Sequence, residues 1–218
     1  MKTKLFFLAI IFLSLFTYFS YTVAKEAWQQ FDFDLTVKLQ DRIPRKYDQF
    51  FSYFSLFGSA EVTVGICIFF AFLALLKWRW LSILGWSIIV PATLAEIFGK
   101  LVLFHPGPPQ FFHRSLLPTS LPSFYVHTNF SYPSGHMTRT IFIITILICM
   151  VFFSSGRKFW KIVLLFGLLS FAFLMALTRI YLGEHWFSDV LGGALLGAGM
   201  GFFASGLILK PRFVYNST

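Results

Sequence analysis

The sequence predicts an all-α integral membrane protein, a bundle of six membrane-spanning helices whose polar residues gather at the outer membrane interface. Hydrophobic residues make up 57% of the 218 residues and charged residues only 12%, whereas an ordinary soluble domain has about 25% charged residues. The mean hydropathy is +0.73, and the apolar residues fall into long runs. The composition therefore excludes an ordinary soluble protein.

The first apolar run, residues 5–24, is long enough to cross a hydrocarbon core of about 30 Å as a helix. Lys2 and Lys4 precede the run, and residues 22–24 have the small side chains of a cleavage site. A signal peptide is therefore the alternative, but its apolar region normally measures about 7–15 residues. The greater length favours an uncleaved helix or signal anchor over residues 1–24.

The rest of the chain predicts an interfacial segment followed by five more membrane helices. Residues 25–50 are polar and of mixed charge, with apolar side chains interspersed, which is typical of an amphipathic segment outside the bilayer that ends near Pro44. No linker or repeat divides the chain, so we expect one domain over 1–218 with core helices over 51–209. The apolar runs of these helices are 51–76, 81–104, 135–154, 159–177 and 190–209.

The charge distribution predicts the orientation of the bundle. With a cytoplasmic N-terminus, the inner segments contain basic residues and no acidic ones, as the positive-inside rule requires. Both termini are then cytoplasmic, the segments 105–133 and 178–189 face outward, and we expect a multi-pass protein of a bacterial inner membrane. This topology also explains the net charge of +9, so no nucleic-acid partner is expected. The inner basic residues are Lys2, Lys4, Lys77, Arg79, Arg157, Lys158, Lys161, Lys210 and Arg212.

The last apolar run contains Gly193, Gly197 and Gly201 at four-residue spacing. Small residues at this spacing let helix backbones approach closely. We expect them to pack inside the monomer. A dimer seam is the alternative, and the sequence leaves the oligomeric state open.

Ionisable residues cluster in the segment 178–189, between two apolar runs. Such groups are costly to keep at a membrane and mark functional sites. A helix that has begun by His185 places Asp189 on the same face, where the carboxylate takes an imidazole N–H and orients the ring. The other ring nitrogen is then a nucleophile or base, and Arg179 supplies a fork of donors for a phosphate or carboxylate. The alternative is an interfacial loop that merely carries these charges.

Two more stretches fall on the same predicted side of the membrane. Lys100 is near the outer end of the third run, and Pro133-Ser134-Gly135-His136 opens the fourth. Because Ser134 is a good N-cap, the free N–H groups of this helix start predict an anion site. With Lys100 and Arg179 the site suits a phosphoryl group, whose transfer depends on charge stabilisation. His185 would attack phosphorus and His136 would protonate the departing oxygen, with no metal or other cofactor required.

These residues resemble the signature of the type-2 phosphatidic acid phosphatase superfamily, membrane lipid phosphatases related to vanadium haloperoxidases and glucose 6-phosphatase. That signature is a Lys, six residues and Arg-Pro, then Pro-Ser-Gly-His, then Ser-Arg, five residues, His, three residues and Asp. The second element is complete at residues 133–136, and the third differs only by Thr178 in place of serine. The resemblance covers about three quarters of the chain, from the second helix to the C-terminus.

The resemblance implies metal-independent dephosphorylation of a membrane lipid phosphate or a polyprenyl pyrophosphate. It implies that His185 is a nucleophile that forms a phosphohistidine, that Asp189 orients it, and that His136 is first the acid for the leaving group and then the base for water. The sequence does not determine which lipid headgroup or polyprenyl chain is the substrate. The groups implied to bind the phosphate oxygens are Lys100, Ser134, the Gly135 backbone and Arg179.

The first element departs from the signature, because Gly107 stands where the family has arginine. Losing one charge-assisted contact to the transition state costs about 2–4 kcal/mol unless another cation replaces it. Two candidates are Arg114, in the same outer loop, and Arg139, one helical turn after His136. The alternative for Arg114 is a solvated charge in the loop, and the alternative for Arg139 is a side chain that extends to the membrane interface. A non-catalytic lipid-phosphate or anion-binding protein on the same scaffold is the alternative function.

The remaining polar residues lead to simpler predictions. His105, His113 and His127 have no paired carboxylate and no ligand spacing, so ordinary surface roles are expected. Glu96, one turn before Lys100, is expected either to pair with it or to face water between helices. A small transporter is a further alternative, but such folds show inverted repeats and broken helices, and the sequence shows neither.

Overall fold

The protein is described here by a computed structural model that covers residues 1–117 and 130–209. Within these residues the fold contains helices and no strand, apart from one isolated bridge between Pro106 and Phe130. The predicted all-α class is confirmed. The α-helices are α1 Lys2–Ala24, α2 Gln29–Arg42, α3 Asp48–Ser55, α4 Ala60–Leu76, α5 Trp80–Ser87, α6 Ile89–Val102, α7 Gly135–Phe152, α8 Lys158–Tyr181 and α9 Phe187–Ile208.

Six helical segments of the described residues are long and apolar enough to cross a membrane. They coincide with the six predicted runs, and their outward faces carry exposed apolar side chains such as Phe69, Phe166 and Phe173. Backbone groups satisfied within helices and apolar outer surfaces are what a bilayer requires. The chain is a multi-pass membrane protein. The segments are Lys2–Ala24, Arg45–Leu76, Trp80–Val102, Gly135–Phe152, Lys158–Tyr181 and Phe187–Ile208.

Two of these spans are interrupted, so the expectation of unbroken helices was wrong. In the third span α5 ends at Ser87 and α6 begins two residues later. Pro91 explains this break, because it lacks an N–H and its ring clashes with the carbonyl four residues earlier, which is that of Ser87. In the second span the 3-10 turn Leu56–Gly58 separates α3 from α4. Ser59 then starts α4 by accepting a hydrogen bond from the Val62 N–H at 3.4 Å.

The glycine stripe of α9 packs against α7 at the centre of the bundle. A Cβ on Gly193 would lie 2.5 Å from the Ser134 carbonyl oxygen, and one on Gly197 would lie 2.3 Å from that of Thr138. A Cβ on Gly201 would also be too close to α7. Only glycine allows two backbones to approach this closely. The predicted packing inside the monomer is confirmed, and the stripe is not a dimer seam.

The first helix packs along a different face of α9. A Cβ on Gly199 would lie 2.8 Å from Leu13 of α1. Near the C-terminal end of α1, the Ser20 hydroxyl is 2.8 Å from the Tyr132 hydroxyl. The first helix therefore contacts the segment that leads into α7.

The segment predicted to be interfacial forms α2, which ends two residues before Pro44. Asp32 and Thr36 lie on its buried face. One turn further on, Gln40 donates hydrogen bonds to the carbonyls of Phe112 and Tyr181 at 2.7 and 2.8 Å. Helix α2 therefore covers the end of α8 and the start of α9.

Candidate active site

His185 and Asp189 are in contact at the start of α9. His185 Nδ1 lies 3.3 Å from Asp189 Oδ2, and Asp189 is fully buried. We predicted this contact from a helix that begins by His185, and that reason was wrong, because α9 begins at Phe187. Asp189 instead reaches back across the helix start, where its Oδ2 accepts the Trp186 backbone N–H at 3.0 Å. This capping contact fixes the carboxylate beside the imidazole.

The surroundings of His185 disfavour a positive charge on its ring. Burial lowers the pKa of His185 well below its ordinary value, and the positive charges of Arg179 and Lys100 lower it further. The carboxylates of Glu184 and Glu96 act in the opposite direction and are outweighed. The ring is therefore neutral at neutral pH, the form in which a ring nitrogen can attack phosphorus. With Nδ1 at the carboxylate, Nε2 is the nitrogen left to react.

Arg179 is buried in the last turn of α8 and organises the loop that carries His185. Its guanidinium donates hydrogen bonds to Ser55 Oγ of α3 and to the Glu184 carboxylate. Its backbone carbonyl accepts the N–H groups of Glu184 and His185, both at 3.3 Å. The loop is thereby folded back onto the arginine.

The same loop requires glycine at position 183. Gly183 has a φ of 68°, in the left-handed region that other residues rarely adopt. A Cβ on Gly183 would also lie 2.2 Å from the Phe112 carbonyl oxygen. The close approach holds the loop before α9 against the 3-10 turn Gln110–Phe112.

The stretch from Pro133 to His136 opens α7 as predicted. Ser134 is the N-cap: its Oγ faces the Met137 N–H at 3.5 Å, and its own N–H donates to the Asp189 carbonyl at 3.0 Å. The start of α7 is thus tied to the start of α9. His136 follows in the first turn, and its Nε2 is buried with no hydrogen-bond partner among residues 1–117 and 130–209. An unpaired buried ring nitrogen is destabilising and points to a chemical role.

Charged residues from separate stretches converge on His136. Arg179, Arg139, His185 and Lys100 all lie within electrostatic range of its ring.

The break in the second span lies against the His136 ring, because a Cβ on Gly58 would lie 3.0 Å from His136 Cδ2. We did not predict a role for Gly58. The polar and glycine residues that interrupt the apolar run at 55–59 were the available signal.

Glu96 is buried and bridges two cations. Its Oε1 accepts from Lys100 Nζ at 2.8 Å, and its Oε2 accepts from Arg139 NH1 at 2.8 Å. The predicted pairing with Lys100 is confirmed, and the alternative of a water-facing side chain is wrong. The carboxylate lies against Gly135, where a Cβ would be 2.4 Å from Oε1. The Gly135 position therefore has no room for a side chain beside Glu96.

Of the two arginines considered as replacements for the one absent at position 107, Arg139 belongs to this cluster and Arg114 does not. The Arg114 guanidinium donates to the carbonyls of Ile43 at 3.3 Å and Gln40 at 3.1 Å. It also lies over the Tyr181 ring, 5.2 Å from the centroid. Arg114 therefore holds α2 against α8, whereas Arg139 faces Glu96 near the start of α7.

The expectation of a surface role for His105 was wrong. His105 is 7% exposed, and its Nε2 lies 3.3 Å from Ser188 Oγ and 3.7 Å from Asp189 Oδ1. The sequence held no signal for this contact, because the histidine and the aspartate are far apart in the chain. His113 is exposed, as expected, and His127 lies outside the described residues.

Comparison with known proteins identifies a matching family and a curated relative. The model of the PAP2 superfamily matches residues 80–212. The undecaprenyl-diphosphatase of Sulfolobus acidocaldarius is 28% identical over 125 residues, which make up 56% of this chain and 53% of that protein. The chain thus spans about half the length of this curated relative.

Two crystal structures share the fold. A transmembrane PAP2 type phosphatidylglycerolphosphate phosphatase from Bacillus subtilis matches with a TM-score of 0.73 and 18% identity, over 92% of this chain and 95% of that one. Aquifex aeolicus LpxE matches with a TM-score of 0.55 and 27% identity, over 79% and 93% of the two chains. The family model covers more than half of the chain and contains Lys100, residues 133–136 and residues 178–189. This chain therefore belongs to the PAP2 superfamily.

Proposed function

We propose that this protein is a membrane lipid phosphatase that hydrolyses a lipid phosphate or a polyprenyl pyrophosphate through a phosphohistidine intermediate. The observation that supports this best is the convergence of an oriented histidine, a second histidine and several cations at one end of the bundle. These residues are His185 with Asp189, His136, Lys100, Arg139 and Arg179.

In the first step, His185 Nε2 attacks phosphorus, the N–P bond forms and the bond to the leaving oxygen breaks. Asp189 holds the ring at Nδ1 and stabilises the positive charge that it acquires. The negative charge of the bound phosphate favours the protonated form of His136, which gives its proton to the leaving oxygen. In the second step His136 takes a proton from water, the water oxygen forms a bond to phosphorus, and the N–P bond breaks. This step frees His185 and releases inorganic phosphate.

The cations stabilise the charge on the phosphoryl oxygens. Lys100 and Arg179 are the two cations that the resemblance to the signature implies, and Arg139 takes the place of the arginine absent at position 107. The N–H groups at the start of α7, behind Ser134 and Gly135, supply further donors. Such preorganised donors are usually the largest contribution to phosphoryl transfer.

The position of the cluster supports a lipid substrate. Lys100 is in the last turn of one span and Gly135 begins another, so the cluster lies where membrane helices end. The phosphate group of a lipid lies at the membrane interface and can reach the cluster there, while the apolar chain of the lipid stays in the bilayer. The names of two similar proteins, an undecaprenyl-diphosphatase and a phosphatidylglycerolphosphate phosphatase, designate lipids of this kind.

We also infer that the site faces outward and that both termini are cytoplasmic. Lys2, Lys77 and Arg79 line one cavity of about 390 Å³ with the end of α9, at the opposite end of the bundle from Lys100. This clustering of inner basic residues supports the orientation, although Lys210 and Arg212 lie outside the described residues. Cysteines introduced at the exposed positions Trp78 and Phe111, 76% and 74% exposed, test it. A membrane-impermeant thiol reagent added to intact cells should label only F111C, and the reverse pattern would invert the topology.

The function is tested with purified protein in detergent containing EDTA. Phosphate release is measured from several lipid monophosphates and an isoprenyl pyrophosphate, for wild type, His185→Ala and the loop control His113→Ala. We expect release by wild type and H113A and none by H185A. With ³²P-labelled substrate, the wild-type protein should carry an acid-labile, alkali-stable label that H185A lacks. No release from any substrate, together with retained binding to lipid-phosphate vesicles, would favour a non-catalytic binding protein.

A further inference from the structure

A buried hydrogen-bond network joins the start of α9 to α2. The Asp32 carboxylate accepts the Ser188 backbone N–H at 2.8 Å through Oδ1 and the Ser188 hydroxyl at 2.6 Å through Oδ2. Asp32 is 1% exposed and Ser188 is fully buried. Asp32 therefore caps the start of α9 from a neighbouring helix. The residue that it holds, Ser188, directly precedes Asp189 in the chain.

The network fixes which nitrogen of His105 carries a proton. Because the Ser188 hydroxyl donates its hydrogen to Asp32, its oxygen can only accept from the other side. His105 Nε2 lies on that side, 3.3 Å from Ser188 Oγ. His105 must then carry its proton on Nε2, since a ring tautomer is set by the partner that the nitrogen meets.

The same ring nitrogen also lies near the second oxygen of the Asp189 carboxylate. Asp189 Oδ2 serves His185 and the Trp186 N–H. Asp189 Oδ1 is buried without a partner at hydrogen-bond geometry among the described residues. The Ser131 hydroxyl lies near this carboxylate, and His105 Nε2 is 3.7 Å from Oδ1. A buried carboxylate oxygen that lacks a donor is destabilising, and the Trp186 N–H holds only Oδ2. A donor at Oδ1 keeps Oδ2 facing His185.

We infer that His105 is a positioning residue for Asp189, and that Asp32, acting through Ser188, holds His105 in the tautomer that does this. The inference rests on the proposed phosphatase function for its effect on rate, but not for its geometry. The order of donors is fixed: His105 Nε2–H faces Ser188 Oγ and Asp189 Oδ1, and the Ser188 hydroxyl faces Asp32. Partners that orient metal ligands in this way change metal affinity or activity by about 10–100-fold when removed, and we expect a similar range for His105.

The kinetic test compares two substitutions of His105. Gln keeps an amide N–H near the position of Nε2, whereas Leu fills a similar volume without a donor. We expect His105→Leu to lower kcat at least about tenfold with KM within about twofold, and His105→Gln to keep kcat within about threefold of wild type. A merely structural histidine would not be rescued selectively by Gln.

A second pair of variants tests the role of α2. Asp32→Asn should lower kcat by a similar factor, because an amide can donate to Ser188 Oγ and so reverse the order of donors. Asp34→Asn is the matched control on the same helix, where the side chain accepts only from Gln30 at 2.9 Å among the described residues. D34N should leave kcat unchanged. Equal kcat values in wild type, H105L and D32N would overturn the inference and leave the phosphatase function standing.

A measurement without turnover separates this inference from the proposed function. In protein labelled with ¹⁵N-histidine, the His105 signals are identified by their absence in H105Q. We expect a protonated Nε2 at pH 7.5 in wild type and in D34N, and a mixture of tautomers in D32N. An unprotonated Nε2 in wild type would overturn the inference even if the protein releases phosphate. A protonated Nε2 that changes in D32N would support the hydrogen-bond order even if no substrate is hydrolysed.

Discussion

Arg139 of α7 donates to the Glu96 carboxylate of α6 at 2.8 Å, inside the group of charges that surrounds His136. The pair places a guanidinium beside the proposed phosphate site of a chain that has Gly107 where the signature has arginine. Lys100 holds the other oxygen of the same carboxylate at 2.8 Å. The two cations are therefore held together at the start of α7 before any substrate arrives.

Arg139→Ala should lower kcat by about 30- to 1000-fold, since loss of a charge-assisted contact to the transition state costs about 2–4 kcal/mol. Arg139→Lys should fall between wild type and R139A, because it keeps the charge without the planar fork. Arg114→Ala should keep kcat within about threefold and lower the Tm, because its guanidinium partners are two backbone carbonyls at the end of α2 and the Tyr181 hydroxyl. Phosphate release and thermal unfolding of the purified variants provide the measurements. A loss of rate in R114A as large as that in R139A would contradict this assignment.

Placing an arginine at position 107, as in the family signature, should restore part of the kcat that R139A loses. In the Arg139→Ala background, Gly107→Arg should recover at least about tenfold in kcat, since it returns a charge-assisted contact to the phosphate. The backbone of Gly107 does not have positive φ, and a Cβ there would lie 3.4 Å from Ser131 Cβ, a contact that requires only a small shift. Gly107→Leu in the same background is the size control. An equal recovery of kcat in both double variants would show that the charge at position 107 does not cause the recovery.

Glu96→Gln should strengthen inhibition by inorganic phosphate. The substitution keeps the shape of the side chain but removes the negative charge that Lys100 and Arg139 now share, so both cations can interact more strongly with a bound phosphate. We expect the inhibition constant of phosphate to fall about tenfold, which corresponds to about 1.4 kcal/mol. Glu61→Gln in α4 is the control. A weaker inhibition in E96Q would show that the carboxylate mainly positions the two cations.

The six spans could be predicted because a bilayer imposes the same length and apolarity on every crossing helix. The segment 133–136 could also be predicted, since an N-cap and the residues after it act locally. The pairs Arg139–Glu96 and Asp32–Ser188 could not, because each joins two helices and a single sequence does not say which helix faces meet. His105 was misjudged for the same reason. The break at Gly58 did leave a local signal, a serine- and glycine-containing turn inside an apolar run.

The stability of the protein should depend on pH through Asp32. Burial raises the pKa of Asp32 to about 6, with the nearby Asp189 charge acting in the same direction and the Ser188 hydrogen bonds opposing it. The pKa in the unfolded chain is about 3.9, so the folded state binds a proton more strongly. The stabilisation from this proton is fully present below about pH 4 and is lost as pH rises through about 6. The full step amounts to about 3 kcal/mol.

Thermal unfolding followed by tryptophan fluorescence between pH 4 and 8 measures this step. The difference in Tm between wild type and Asp32→Asn should decrease as pH rises from 4 to 7, because only wild type loses the proton. Asp34→Asn should follow wild type at every pH. His105 and Asp189 face the same region, and D34N, which leaves Asp32 in place beside both, gives the pH response of the intact network. A wild-type minus D32N difference that is constant with pH would contradict the prediction.

Gly197→Ala should destabilise the protein and reduce its activity together. The new Cβ would lie 2.3 Å from the Thr138 carbonyl oxygen, a backbone atom of α7 that cannot move without shifting the helix. Overpacking of this kind costs about 1–3 kcal/mol, and the shift displaces Ser134 and His136 at the start of α7. Gly167→Ala is the matched control in α8, because a Cβ there would meet nothing within 4 Å. We expect G167A to match wild type in Tm and in kcat, and G197A to fall in both. An unchanged Tm in G197A would mean that α7 and α9 are not packed through this glycine.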